Sequence, residues 1–262
     1  MTAARQPARP GRLSPRTGVL GGTFNPVHVA HLRVAEEVAE ALGIGRMLFV
    51  PAASPPHKPD EGADPIAPPE LRLAWLLEAA ADNPRFRVDP LEVERGGTSY
   101  SVDTLRDLAA RTAPERPVFV IGWDAFVEID TWKDPATLFA LADFAVMTRP
   151  PDSDATLRGF LPACIRAEAR VAADGASAHH RRGWIRLIAV TPLGVSASDI
   201  RRRLREGRSV RYLLPERVHD AIVASGVYGP GEARAGGPGE ARAGGPDKAP
   251  TGGPGVSPSE GR

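Results

Sequence analysis

The chain has 262 residues, with 33 Lys and Arg against 32 Asp and Glu, and a formal net charge of +1. That balance supplies no general attraction for nucleic acid or a membrane surface, and no apolar run approaches the ~20 residues that span a bilayer. Cys164 is the only cysteine, which excludes an intramolecular disulfide and a cysteine-rich zinc site and suits a reducing, cytoplasmic setting.

Residues 1–16 carry Arg5, Arg9, Arg12 and Arg16 without an acid, and Pro7, Pro10 and Pro15 break any amphipathic helix. A disordered extension is expected there, rather than a transit peptide or secretory signal. A strand over Thr17–Gly21 then runs into Gly21-Gly22-Thr23-Phe24-Asn25-Pro26-Val27-His28-Val29-Ala30-His31. Glycines let a backbone approach a phosphate closely, and a helix start adds N–H groups and a positive dipole end. Gly22, Thr23 and Phe24 are therefore candidate phosphate-binding residues. His28 and His31, three apart, share one helix face and can address the same anion. The helix, Val29–Leu42, sets Leu32, Ala35, Ala39 and Leu42 on one face and stops at Gly43.

Met47–Val50 is a strand closed by Pro51, and on the rigid loop Pro55-Pro56-His57-Lys58 the Lys58 ammonium is a point charge for phosphate. Helical spacing of Leu71, Trp75 and Leu76 predicts a helix over Pro68–Asp82, and Phe86–Val93 reads as extended. Gly97-Thr98-Ser99-Tyr100-Ser101 opens a helix, Tyr100–Arg111, with hydroxyls and amides available to an anion. Pro117–Ile121 is a strand buried on both faces, followed by Ile121-Gly122-Trp123-Asp124 and Thr131-Trp132. Further strands are Asp143–Met147 and Ile185–Val190. Between them, residues 152–183 have weak periodicity, and His179-His180, without a third ligand at metal-like spacing, read as a surface feature. Trp75 and Trp184 read as packing residues. In Val195-Ser196-Ala197-Ser198-Asp199-Ile200-Arg201, Ser198 suits a helix N-cap. Arg201 then falls in the first turn, where the helix dipole disfavours a cation unless an anion is near. A last helix starts at Pro215. Beyond Tyr228 an eight-residue Gly-Glu-Ala-Arg-Ala-Gly-Gly-Pro unit is repeated and degrades, so residues 229–262 are expected to be a disordered tail.

Strands alternating with helices imply an α/β fold: a single domain, 17–228, built on a doubly wound parallel sheet with right-handed crossovers. Ligands sit at the carboxyl ends of such strands, and each motif follows a strand.

The first motif resembles the GGTFDPxHxGH signature of the nucleotidylyltransferases, with Asn25 for the usual Asp and Ala30 for Gly. The second resembles their ISSTxIR motif, with Ala197-Ser198 for Ser-Thr. The Pro55–Lys58, Gly97–Ser101, Ile121–Asp124, Thr131-Trp132 and Arg149-Pro150 segments are similar to those of bacterial nicotinate-nucleotide adenylyltransferases, Pro151 replacing a Gly. The resemblance, from about Gly18 to Tyr228, implies a Rossmann-like fold and adenylyl transfer from ATP to nicotinate mononucleotide. It implies Ser198 and Arg201 on the outer phosphates of ATP, and Trp132 stacked on the pyridine ring. It also implies Thr98 and Tyr100 near the pyridine carboxylate, Asp124 on ribose hydroxyls, and Mg²⁺ brought by the ATP phosphates. His28, His31 and Arg201 are the candidate catalytic residues. Other acceptors stay open, namely phosphopantetheine or the amidated nucleotide, as does a nucleotide-binding regulator without chemistry. A nucleic-acid role for Arg201–Arg203 is disfavoured by the charge balance. The oligomeric state is not set by the sequence; a homodimer is one option.

Overall fold

The computed structural model of the chain describes residues 16–56, 66–149 and 154–229. In chain order the elements are β1 (Thr17–Gly22), α1 (Val29–Leu42), β2 (Arg46–Pro51), α2 (Pro69–Ala80), β3 (Phe86–Val88), α3 (Leu91–Arg95) and α4 (Ser101–Thr112). Then come β4 (Val118–Gly122), α5 (Trp123–Val127), a 3-10 turn (Ile129–Thr131), α6 (Pro135–Leu141), β5 (Asp143–Thr148) and α7 (Ala163–Arg166). β6 (Arg170–Val171), β7 (Ser177–His180), β8 (Gly183–Ala189), α8 (Ala197–Arg205) and α9 (Glu216–Ser225) complete the order. One eight-stranded sheet runs β3-β2-β1-β4-β5-β8-β7-β6. Pairs from β3 through β8 are parallel, as expected; β7 and β6 add an antiparallel edge.

Strand residues alternate between two apolar layers. Leu20, Val118, Val120 and Ala145 join α1, α2, α8 and α9 on one face. Val19, Phe119, Ile121, Phe144 and Val146 join α4, α5 and α6 on the other. Two-sided burial is why these strands are continuously apolar. The order turns back between β1 and β4, so the crevice at their carboxyl ends is the switch point where open α/β sheets bind ligands.

Three expectations are corrected. Phe86–Val93 is not one extended run: β3 stops at Val88, because the Asp89 carboxylate accepts the Leu91 N–H at 3.1 Å and Pro90 starts α3. Ser196, not Ser198, caps α8, its hydroxyl accepting the Asp199 N–H at 3.2 Å. His28 precedes α1 as its N-cap, in keeping with a helix that starts at Val29. Residues 170–183 form a hairpin edge, and alternation along β7 turns Ala178 and His180 inward. His179 is exposed as expected, but the His180 side chain is fully buried against Phe139. Trp75 is 2% exposed and Trp184 packs beside the core, as their spacing predicts. Lys58, Pro150 and Pro151, the extension through residue 15 and the tail from residue 230 lie outside the described residues.

Candidate active site

The turn after β1 is built by close contact and local strain. Phe24 sits at φ 48°, a left-handed conformation costly for a bulky side chain, and a Cβ on Gly22 would meet its ring at 3.2 Å. Glycine at position 22 therefore spares the Phe24 ring a tight contact. Its ring meets the His31 imidazole edge-on at 5.1 Å. His28 and His31 stack with centroids 3.7 Å apart and planes 26° from parallel. The shared direction expected of the two histidines is thus observed, although His28 lies just outside the helix.

One hydrogen bond orients the His31 ring. The His28 backbone N–H donates to His31 Nδ1 at 3.2 Å, which puts the proton of neutral His31 on Nε2. His28 is 6% exposed, and its Nδ1 has no hydrogen-bond partner among the described residues. Burial, with the Arg149 cation adding to it, lowers the His28 pKa from 6.5 to about 4. At neutral pH His28 is an uncharged hydrogen-bonding group in a positive surrounding.

The second motif docks on the first. Arg201, 9% exposed, donates from Nη1 to the backbone carbonyl of Asn25. Asn25 Oδ1 also accepts the Ala67 N–H at 3.0 Å and the Tyr228 hydroxyl. Ser198 is exposed, its hydroxyl 3.2 Å from that of Ser196. Beneath the turn lies Arg72, fully buried. It donates to the carbonyls of Ala67 at 2.8 Å, Thr23 at 2.8 Å, Ala52 at 2.6 Å and Ala53 at 2.9 Å. One guanidinium thus ties the loops that follow β1 and β2 and the start of α2.

A second wall carries the remaining candidates. Ser99 N–H donates to Ser54 O, and Ala53 N–H to Ser99 Oγ, each at 2.9 Å, so the Thr98–Tyr100 loop is fixed to the loop after β2. Thr98 is exposed and Tyr100 half-buried. Trp132, half-buried, meets Phe119 edge-on at 6.4 Å. Lys133 beside it places Nζ 4.4 Å from the Tyr100 ring centroid and 2.8 Å from Asp103, joining the two aromatic segments. Asp124 is exposed in the first turn of α5, and a Cβ on Gly122 would collide with its carboxylate.

Sequence reasoning missed Arg72 and Lys133, and it named Arg149 only as part of a resembling segment, without the charge it places near His28. For Arg72 a signal existed, since it falls on the stripe of Trp75 and Leu76 and is buried with them. The site's donors are imidazole N–H, guanidinium and backbone amide, suited to phosphate oxygens rather than to a dication. Among the described residues no cluster of three or more His, Cys, Asp or Glu could hold a metal. No helix of the described residues is long and apolar enough to cross a membrane.

Residues 19–203 match the cytidylyltransferase-like family model. A probable nicotinate-nucleotide adenylyltransferase of Geobacter sulfurreducens is 44% identical over 214 residues, covering 81% of this chain and 98% of the relative. One of Halorhodospira halophila is 42% identical over 228 residues, covering 86% and 98%. Among solved structures, nicotinic acid mononucleotide adenylyltransferase of Plasmodium falciparum complexed with NaAD shares the fold, with a TM-score of 0.60 at 16% identity, covering 82% of this chain and 98% of that one. By the family model and by these relatives, the chain belongs to the cytidylyltransferase-like family and, within it, to the nicotinate-nucleotide adenylyltransferases.

Proposed function

We infer that this chain transfers the adenylyl group of ATP to nicotinate mononucleotide, giving deamido-NAD and pyrophosphate. A 5′-phosphate oxygen of the mononucleotide attacks the α-phosphorus, a P–O bond forms there, and the bond to the β-phosphate oxygen breaks. The nucleophile is a phosphate monoester, ionised near pH 6 to a dianion, so no side chain has to remove a proton from it. What the protein supplies is placement and charge stabilisation.

The observation that carries the reading is the stacked His28–His31 pair beside a strained phosphate turn, with Arg201 drawn in through Asn25. His28 and His31 donate N–H to phosphate oxygens as charge builds on them. Because His28 is neutral, it serves as a dipolar donor, and the fixed positive charge comes from Arg149 and Arg201. Gly22, Thr23 and Phe24 shape the phosphate turn, while Ser198 and Lys58 address the outer phosphates. Mg²⁺ accompanying ATP would be held mainly by phosphate and water and would neutralise charge on the phosphates. Thr98, Tyr100, Trp132 and Asp124 receive the mononucleotide, with Trp132 offering a face for the pyridine ring. The test is pyrophosphate release from Mg·ATP with nicotinate mononucleotide, nicotinamide mononucleotide and phosphopantetheine in parallel. Turnover fastest with the nicotinate compound supports the reading; turnover with phosphopantetheine alone refutes it.

A further inference from the structure

We propose that Asn25 and Tyr228 are positioning residues for Arg201, so that the last buried side chain among the described residues sets the geometry of the phosphate site. The proposal rests on the adenylyl-transfer reading for the role given to Arg201.

Asn25 is 5% exposed, and both of its oxygens are engaged. Its side-chain oxygen accepts the Ala67 N–H and the Tyr228 O–H; its backbone oxygen accepts Arg201 Nη1. The amide cannot turn over, because its NH₂ would then face the Ala67 N–H, donor against donor. Tyr228 in turn is held rigidly. It is 2% exposed, its ring lies 5.7 Å from that of Trp75, itself 2% exposed, and Gly226 at φ 64° ends α9 just before it. The orientation is therefore passed from a packed aromatic pair to a hydroxyl, to an amide, to a peptide carbonyl, and to a guanidinium. Each link is a single hydrogen bond or one residue's own covalent frame.

Nothing in the chain pattern announces this connection, since Asn25 and Tyr228 are 203 residues apart. It also accounts for Asn25 in place of the more usual Asp. What the position needs is a side-chain oxygen that accepts from two donors, and either residue supplies one.

The test uses the full-length chain. Tyr228→Phe removes one hydroxyl and keeps the ring. At 25 °C, where circular dichroism shows it folded, it should lower kcat about 5- to 20-fold and raise KM for ATP, leaving KM for nicotinate mononucleotide within about twofold. Asn25→Ala should do at least as much, and Asn25→Asp should recover most of the loss. In an Arg201→Ala background, Tyr228→Phe should change kcat/KM less than about twofold, because its effect passes through Arg201. Wild-type constants in Tyr228→Phe, or an equal loss in both backgrounds, would overturn the proposal. Calorimetry with Mg·ATP alone keeps the two readings apart. A wild type that binds ATP more tightly than Tyr228→Phe yet releases no pyrophosphate refutes the transferase reading and supports the positioning. A wild type with no ATP binding refutes both.

Discussion

Acid should destabilise this protein through His28 before it supplies the site with an imidazolium. The His28 pKa is 6.5 in an ordinary environment and about 4 in the fold, lowered first by burial and then by Arg149. Below pH 6.5 the unfolded chain therefore binds a proton that the folded chain refuses, and stability must fall with pH. The full contribution is present above pH 6.5, is lost progressively down to about pH 4, and changes no further below that. Each unit of difference corresponds to about 1.4 kcal/mol, so the whole window is worth about 3 kcal/mol, of which about 2 kcal/mol is gone by pH 5. The perturbation is His28→Gln, which keeps a polar side chain but cannot titrate. Urea unfolding of both proteins at pH 7.5, 6.5, 5.5 and 5.0 gives a difference curve. It should be flat above pH 6.5 and then show the wild type losing ground. His180, also pushed down by burial, tilts both curves equally and cancels. Parallel curves down to pH 5, or a His28 resonance titrating near 6.5, would refute the argument.

The same desolvation makes His28 indifferent to pH near neutrality, so any loss of rate towards pH 6 should follow the substrate's phosphate rather than the imidazole. His28→Ala and His31→Ala should each lower kcat by roughly 10²–10⁴ with smaller effects on KM, measured by pyrophosphate release. Arg72→Met strips donors from four carbonyls at once. We expect a loss of at least about 3–5 kcal/mol and a Tm lower by about 10 °C, and a Tm within 3 °C of wild type would show that the loops hold without it. Trp132→Ala should weaken nicotinate and nicotinamide mononucleotides alike, because stacking does not distinguish acid from amide. Thr98 and the adjoining amides should keep the wild type about ten- to several-hundred-fold more efficient with the acid, and equal kcat/KM values would show that the carboxylate site lies elsewhere.

The legible parts of this molecule are those whose chemistry is local. The double glycine and the histidine spacing identify the phosphate turn because Phe24, His28 and His31 interact within a few residues of one another. The parallel core strands announce themselves by continuous apolar runs. Ser196 was legible too: Asp199 stands three residues after it, as a capping pair requires, whereas Ser198 has Arg201 at that offset. The parts not legible are those fixed by partners distant in sequence. Lys133 reads as an ordinary surface lysine until the fold lays it over Tyr100. The β6–β7 edge is too short for a periodic signal, and His180 is buried there only because the hairpin closes over Phe139. For Arg72 the helical stripe signals burial, but the carbonyls it joins, of Ala52 and Ala67 among others, come together only in the fold.

The sheet that carries this site offers little to grow on. Among the described residues its outermost strands are β3, of three residues, and β6, of two. Such rims present few unpaired main-chain donors and acceptors, and the twist of short strands turns these away from a flat approach. A wide, apolar, mostly parallel sheet is a hazard in a crowded cell when its margins invite another chain to add on. Here the margins are too brief to template addition. A second copy that met this protein would therefore gain little by extending the described sheet.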